Sequence, residues 1–297
     1  VRIAALLDTA PVSNSFMALQ EMPAAVRRAD FLFKGMKMIG AVYNDARRKK
    51  VPIYRNVKGL RAEGSEKLER VLGTSGKKEL SFETTTLFVT EGIIPNSNLL
   101  RQVGCTHQWD SVQRYWHPAV GRNGSSNLDR VFVAGDGAFV HGARAAELKG
   151  RLSGLKMAQE MHRISKAECH DLSGAVLKEL EKDLYPRPFI DSLYRPRKDL
   201  YTLSDETMVC RCEGITAGRV RELVKAGYTD HNDIKAMIRC GMGPCQGRMC
   251  SSAVLELIVE GTGKAPETIR QHRLRPPVKP VNLMEMANAE LEDTDES

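Results

Sequence analysis

The sequence predicts an α/β unit followed by a small, mainly α-helical domain. Three observations carry that reading. Strand-length apolar runs alternate with helix-period segments over the first 165 residues. A proline-marked stretch interrupts them near residue 184. Five of the seven cysteines then crowd into residues 210–250.

The elements follow in order. Ile3 to Leu7 is an apolar run ending in Asp8, so residues 1–8 read as a buried strand. Asp30 to Arg47 places Phe31, Met38 and Val42 near a 3.6-residue period and reads as a helix. Val51 to Val57 is a short strand. Ser81 to Val89, rich in Thr and Phe, is another, leading to the turn Glu91-Gly92 and the segment Ile93-Ile94-Pro95-Asn96. Val131 to Ala134 is a compact apolar run broken by Gly135-Asp136-Gly137. The helix after it carries Ala145, Leu148, Leu152 and Leu155 on one face. The alternation points to a parallel or mixed sheet. Pro186, Pro188 and Pro196 mark a linker. Beyond it, Val220, Leu223 and Val224 form one helical face stopped by Gly227, and Ile234–Ile238 forms a second helix. Ala253, Val254, Leu257 and Ile258 form a third, stopped by Gly261. Pro266 opens one more, and the acidic end, Glu290 to Ser297, frays. The expected division is 1–165, a linker at 166–204, a cysteine domain at 205–263 and a tail at 264–297.

Composition excludes several classes. The chain of 297 residues is 42% hydrophobic, enough for a core, and carries a net charge of +7 from 44 basic and 37 acidic residues. No apolar run approaches the roughly 18–20 residues of a membrane span. No basic segment precedes an apolar one in the manner of a secretion signal. An odd number of clustered cysteines suits a reduced compartment better than a disulfide framework. The expected location is the cytoplasm or the cytoplasmic face of a membrane.

The cysteine spacing points to a metal. Cys210 and Cys212 are one residue apart, Cys245 follows after 32 intervening residues, and Cys250 after four more. Four thiolates from two loops can hold an iron–sulfur cluster or a structural zinc, or stand unliganded. The C-x-C half is less typical of zinc. Gly241, Gly243 and Gly247 allow backbone amides to approach sulfur. Cys245 and Cys250 lie just before, or in the first turn of, a helix over Ser252–Glu260, whose N-terminal dipole favours thiolate charge. Cys240 reads as a buried spare thiol, and Cys105 and Cys169 as ordinary thiols.

These residues carry a resemblance. Val209-Cys210-Arg211-Cys212-Glu213 and the run Arg239 to Cys250 resemble the [2Fe-2S] domain related to bacterioferritin-associated ferredoxin. The version most similar is that of the alpha (A-type) subunits of heteromeric opine oxidases, hydrogen cyanide synthase and dye-linked proline or hydroxyproline dehydrogenases. The match covers about residues 205–283, through Arg275-Pro276-Pro277. It implies Cys210, Cys212, Cys245 and Cys250 as ligands, Cys250 being the least secure because the small ferredoxin ends in C-x2-C.

The turn Gly135-Asp136-Gly137, with Gly142, Ala143 and Ala145 opening the next helix, is a place where a diphosphate could meet free helix N–H groups. An ordinary turn gives the same pattern. The segment resembles the C-terminal FAD contact of two-dinucleotide-fold flavoproteins, and Leu87-Phe88-Val89 through Asn96 resembles their crossover. The same alpha-subunit resemblance runs through Pro188-Phe189-Ile190 and Tyr194 to Arg197. It implies FAD as a second cofactor. No G-x-G-x-x-G occurs in the chain, whereas the family has two. Residues 1–8 resemble the second strand of the family's inserted nucleotide domain. The chain is therefore expected to be a fragment of a two-dinucleotide-fold flavoprotein, with an incomplete FAD site. His141, inside the turn, reads as a solvated loop histidine or, alternatively, as a neighbour to a phosphate.

Two functions are weighed. The first is an electron-transfer subunit without catalytic residues of its own, inactive alone. It would pass electrons from a flavin-containing beta subunit through flavin and a [2Fe-2S] cluster to a respiratory acceptor, the donor bond being CH–NH or CH–NH2. The second is a zinc-organised basic module binding nucleic acid or protein, with Arg211, Arg219, Arg221, Lys225, Lys235, Arg239 and Arg248 as its positive face. Tyr228 is the only aromatic residue between 205 and 263, which disfavours base stacking and nucleic acid.

Overall fold

The computed structural model describes residues 2–278 and 280–288. Val1 and the acidic end expected to fray, 290–297, lie outside the described residues.

The first strand, β1 (Leu6–Leu7), pairs in parallel with β2 (Ile53–Tyr54), Leu6 opposite Ile53. Between them run α1 (Val12–Gln20), α2 (Met22–Ala25) and α3 (Ala29–Arg48). The third is the helix that the periodicity predicts. Its apolar residues Phe33, Met36, Met38, Ile39 and Val42 are exposed, and only Ala46 is buried.

An antiparallel meander follows: β3 (Val57–Glu63), β4 (Arg70–Ser75) and β5 (Lys78–Glu83). Val57, Val71 and Leu80 are buried on it. The two-residue turn Gly76-Lys77 closes its second hairpin, with Gly76 at φ +61°. The strand expected over Ser81 to Val89 pairs only as far as Glu83. Beyond it Phe88 is 92% exposed, because no described strand offers the segment a ladder.

After α4 (Asn98–Gln102), the hairpin β6 (His107–Asp110) and β7 (Tyr115–Pro118) sets Trp109 against Trp116. The strand expected over Val131 to Ala134 is reduced to one bridge, Phe132 to Ser125. A single turn of 3-10 helix, Gly135–Gly137, then leads to α5 (Ala143–Glu160).

The 166–204 stretch is not a linker. It contains α6 (Lys166–Leu184) and α7 (Arg187–Leu193). Leu148 and Leu152 of α5 share a buried cluster with Val176 and Leu180 of α6. A capping box starts α6: Ser165 accepts from the Glu168 amide, and Glu168 accepts from the Ser165 amide at 2.8 Å. The prolines fall after this helix, not inside it. Helix α7 packs against α1, where buried Asn14 donates through Nδ2 to the carbonyls of Leu193 (3.3 Å) and Arg195 (2.8 Å).

The C-terminal part comprises β8 (Met208–Cys210), β9 (Ile215–Thr216), α8 (Ala217–Lys225), α9 (His231–Ile238) and α10 (Ser251–Thr262). Pro266 opens only one 3-10 turn, and α11 (Leu283–Ala287) is short. Val220, Leu223 and Val224 of α8 meet Val254, Leu257 and Ile258 of α10 in one core. Gly261 does not stop α10. A Cβ there would lie 2.5 Å from Val224 Cγ1, so its bare backbone lets the two helices approach, and Gly263 at φ +67° ends the helix.

Ser165→Ala is expected to cost about 1 kcal/mol through loss of the α6 cap, read as a lower urea midpoint with an unchanged slope.

Candidate metal centre

Five cysteines converge on the N-terminus of α10. Cys210 ends β8, and Cys212 sits in the turn that joins β8 to β9. Helix α9 starts on an Asp230 cap that accepts from the Asn232 amide at 2.7 Å and the Asp233 amide at 3.1 Å. It ends at Arg239 in the left-handed region (φ +61°), and this reversal turns Cys240 inward. Cys245 follows in the loop, and Cys250 is the residue preceding the first turn of α10.

The thiols divide into two groups. The sulfurs of Cys210, Cys240 and Cys250 lie within 4.8 Å of one another, and all three residues are buried. Cys212 is exposed and interacts with half-buried Cys245. None of the five is in a disulfide. Cys240, expected as a spare thiol, therefore lies inside the sulfur triangle. Cys240, Cys245 and Cys250 recur at five-residue steps, but the reversal at Arg239, not that repeat, brings Cys240 into the triangle.

The electrostatics separate the groups. Cys240, then burial, pushes the Cys250 thiol well above its ordinary value. Burial also raises Cys245, but the Met249 amide, Cys212 and the Gly247 amide outweigh it and bring that thiol down. At Cys212 the Cys245 amide lowers the thiol, while the Cys245 side chain and partial desolvation raise it further, for a net rise. Three buried thiols this close cannot all ionise unless a cation sits among them.

The glycines make room rather than merely exposing amides. A Cβ on Gly243 would stand 2.1 Å from Cys212 Cβ. On Gly241 it would stand 2.4 Å from His272 Nε2, and on Gly247 2.7 Å from His272 Cδ2. Sequence reasoning missed His272, which carries no spacing signal. The donor set and this cradle fit a thiolate-bound metal or cluster.

Residues 208–260 match the family described as BFD-like [2Fe-2S] binding domain. The whole chain is similar to the A subunit of opine oxidase from Rhizobium meliloti, 34% identical over 283 residues, which is 95% of this chain and 53% of the relative. It is similar to hydrogen cyanide synthase subunit HcnB of Pseudomonas aeruginosa, 28% identical over 69% of this chain and 44% of the relative. Among solved structures it resembles L-proline dehydrogenase from P. horikoshii, with a TM-score of 0.59 and 26% identity over 81% of this chain and 46% of that one. The chain thus spans about half the length of these relatives. They are oxidoreductase subunits or dehydrogenases, as the resemblance implied.

The BFD-like domain is fastened to the rest. Asn98 Nδ2 of α4 donates to the Gln246 carbonyl at 3.3 Å, next to Cys245. Arg114 pairs with Glu256 of α10, and Trp109 and Trp116 pack on the domain core.

Gly135 (φ +67°) and Gly142 (φ +95°) adopt glycine conformations, and Asp136, Gly142 and Ala143 are exposed. Gly142 gives α5 no side-chain cap, so its first amides are open to an anion. Ala145 differs from expectation: it is fully buried in the α5–α6 cluster. His141 accepts from Lys149 Nζ at 2.8 Å, and burial takes its pKa down to about 3. It is a half-buried residue, not a solvated loop histidine. Among the described residues no helix is long and apolar enough to cross a membrane.

Gly243→Ala is expected to displace Cys212 and remove most bound iron, while far-ultraviolet circular dichroism stays near that of the parent. Iron per chain by elemental analysis checks this.

Proposed function

We propose that the chain is the cofactor-bearing part of an electron-transfer subunit in a heteromeric flavin-dependent dehydrogenase acting on amines, imino acids or opines. The observation that carries this reading is the five-thiol site within a BFD-like domain. The names of the relatives support the substrate class. Two of them are named for one subunit of a larger enzyme, which supports a partner chain, here a flavin-containing beta subunit. The expected acceptor is a respiratory carrier.

The proposed ligands are Cys212 and Cys245 as an outer pair, with Cys210 and Cys250 as an inner pair. Cys240 lies beside the inner pair. When bound, a flavin and a [2Fe-2S] cluster split a two-electron oxidation into single-electron steps. Exposed Cys212 brings one side of the site to the surface, where a redox partner can approach. The amides of Met249 and Gly247 favour the Cys245 thiolate, and Arg248 adds positive charge beside it. Gly135, Asp136, Gly137, Gly142 and Ala143 form one wall of a flavin site, with the α5 amides facing a diphosphate. The exposed apolar residues of α3 and of Leu87 to Ile94 offer contact area to other parts of the assembly.

Anaerobically purified protein is expected to contain iron and labile sulfide. Cys212→Ser and Cys245→Ser should abolish the visible charge-transfer bands. Cys210→Ser and Cys250→Ser should retain a fraction, because Cys240 lies in the same triangle, and Cys240→Ser should leave the bands intact. Stoichiometric zinc without iron would count against a redox role. In the assembled enzyme, Cys212→Ser should block reduction of the acceptor while an opine or proline still bleaches the partner's flavin.

A further inference from the structure

A cavity of about 340 Å³ lies between α5, α6, the β6–β7 hairpin and the loop that follows the hairpin. None of the residues proposed for the flavin wall lines it. Its walls are largely apolar, from Val120, Val133, Phe139, Leu177, Leu180 and Leu184. Lys149 of α5 and His141 line it together. Both are half-buried, so each keeps accessible surface.

Lys149 has no carboxylate at contact distance. Among the described residues, the one side-chain partner of its Nζ is His141 Nδ1, at 2.8 Å. Lys49 and Lys156, by contrast, reach Asp45 and Glu160. Burial takes the Lys149 pKa down to about 8; Asp136 opposes this through space, and Arg187 adds to it. Burial lowers His117 on the next wall as it lowers His141, so both rings are neutral. Arg122 and Glu181 at the cavity edge pair with each other. The His141 ring stacks on Phe139 with centroids 4.3 Å apart, which holds the imidazole in place. A neutral amine that donates one N–H to an imidazole keeps its lone pair free, and this is how nucleophile and base pair in covalent sites. A desolvated lysine is suited to imine chemistry for the same reason.

We propose that Lys149 is a nucleophile that captures an aldehyde with an apolar tail as an imine. The amine adds to the aldehyde carbon to give a carbinolamine. Loss of water then leaves a C=N bond in place of the C=O bond, both amine hydrogens departing with the oxygen, and no oxidant or reductant is needed. The apolar walls hold the tail. A carbonyl compound bearing a carboxylate would find no free cation there, since Arg122 is already paired. The inference goes beyond the electron-transfer reading and does not depend on it, because neither flavin nor cluster takes part.

The test is reductive trapping on the purified chain. Benzaldehyde in limiting amount is added with cyanoborohydride at neutral pH, and the benzylated lysines are located and timed by peptide mass mapping. At neutral pH about a tenth of an amine of pKa 8 is uncharged, against well under a thousandth at the ordinary lysine value of about 10.4. Lys149 is therefore expected to be labelled at least tenfold faster than the exposed lysines. That advantage should shrink as the pH is raised toward 10, where the exposed amines also lose their protons. Glyoxylate, relative to the same exposed lysines, should show at most a tenth of the preference for Lys149 that benzaldehyde shows. Lys149→Arg should remove the fast label and leave the slow labelling elsewhere unchanged. No benzyl group on Lys149, or labelling there no faster than at exposed lysines, overturns the proposal, and this map of the parent chain decides the matter if Lys149→Arg fails to fold. A glyoxylate preference equal to that of benzaldehyde overturns the apolar class.

Discussion

Five thiols must meet at the start of one helix, three of them buried with their sulfurs within 4.8 Å of one another, and the C-terminal domain is arranged around that constraint. Each sulfur arrives from a different backbone feature: a strand end, a tight turn, a left-handed helix exit, a loop and a helix start. None of these features would hold the sulfurs alone. The α8–α10 pair supplies the rigidity, and its close approach rests on the missing side chain of Gly261 against Val224. Metal uptake here must release protons, most of all from the inner triangle, where Cys240 and burial hold Cys250 in its neutral form. Site formation and domain stability are therefore linked.

The domain is not tethered at the end of a flexible arm. Asn98 reaches the backbone beside Cys245, Arg114 pairs with Glu256, and the Trp109–Trp116 edge contact lies against the domain core. Helices α6 and α7 are themselves packed into the rest of the chain. The first packs on α5, and the second meets α1, where Asn14 holds the chain after α7. Fixed geometry matters for an electron carrier because transfer rates depend on the distance between redox groups. A domain held by buried contacts keeps that distance without the ordering cost of a mobile one.

Much of this was legible in the sequence, for a physical reason. Helices α3, α5, α8, α9 and α10 announce themselves because a 3.6-residue apolar period is a local property. The C-x-C and C-x4-C spacings were legible for the same reason. Strands were legible only in part: the runs at 1–8 and 51–57 contain the paired β1 and β2, but a strand exists only where a partner supplies hydrogen bonds. The apolar run at Leu87 to Val89 has no such partner, and the β3–β5 meander carries only a Gly76-Lys77 turn signal. Helix α6 was not legible, because Pro186, Pro188 and Pro196 suggested a linker where the structure has helix. Cys240 and His272 became site residues through backbone reversal and close packing, which no spacing records. The reading of Gly261 as a stop failed likewise, because the contact that explains it lies 37 residues away at Val224.

Positive charge on this domain is largely spent within it. Arg221 pairs with Asp205 and Glu260, Arg219 with Glu222, and Arg239 with Glu213. Lys235 is buried and donates to the Arg273 carbonyl. Each exposed pair is worth little to stability, but pairing cancels the field that a nucleic acid would follow. Four of the seven basic residues that suggested a binding face are thus engaged inside the domain. Arg248 is different, since it lies between Cys245 and Cys250 in the chain and lowers the Cys245 thiol. Its charge acts on sulfur. The distribution fits a protein that must keep thiolates ionised at one place more than one that grips an extended polyanion.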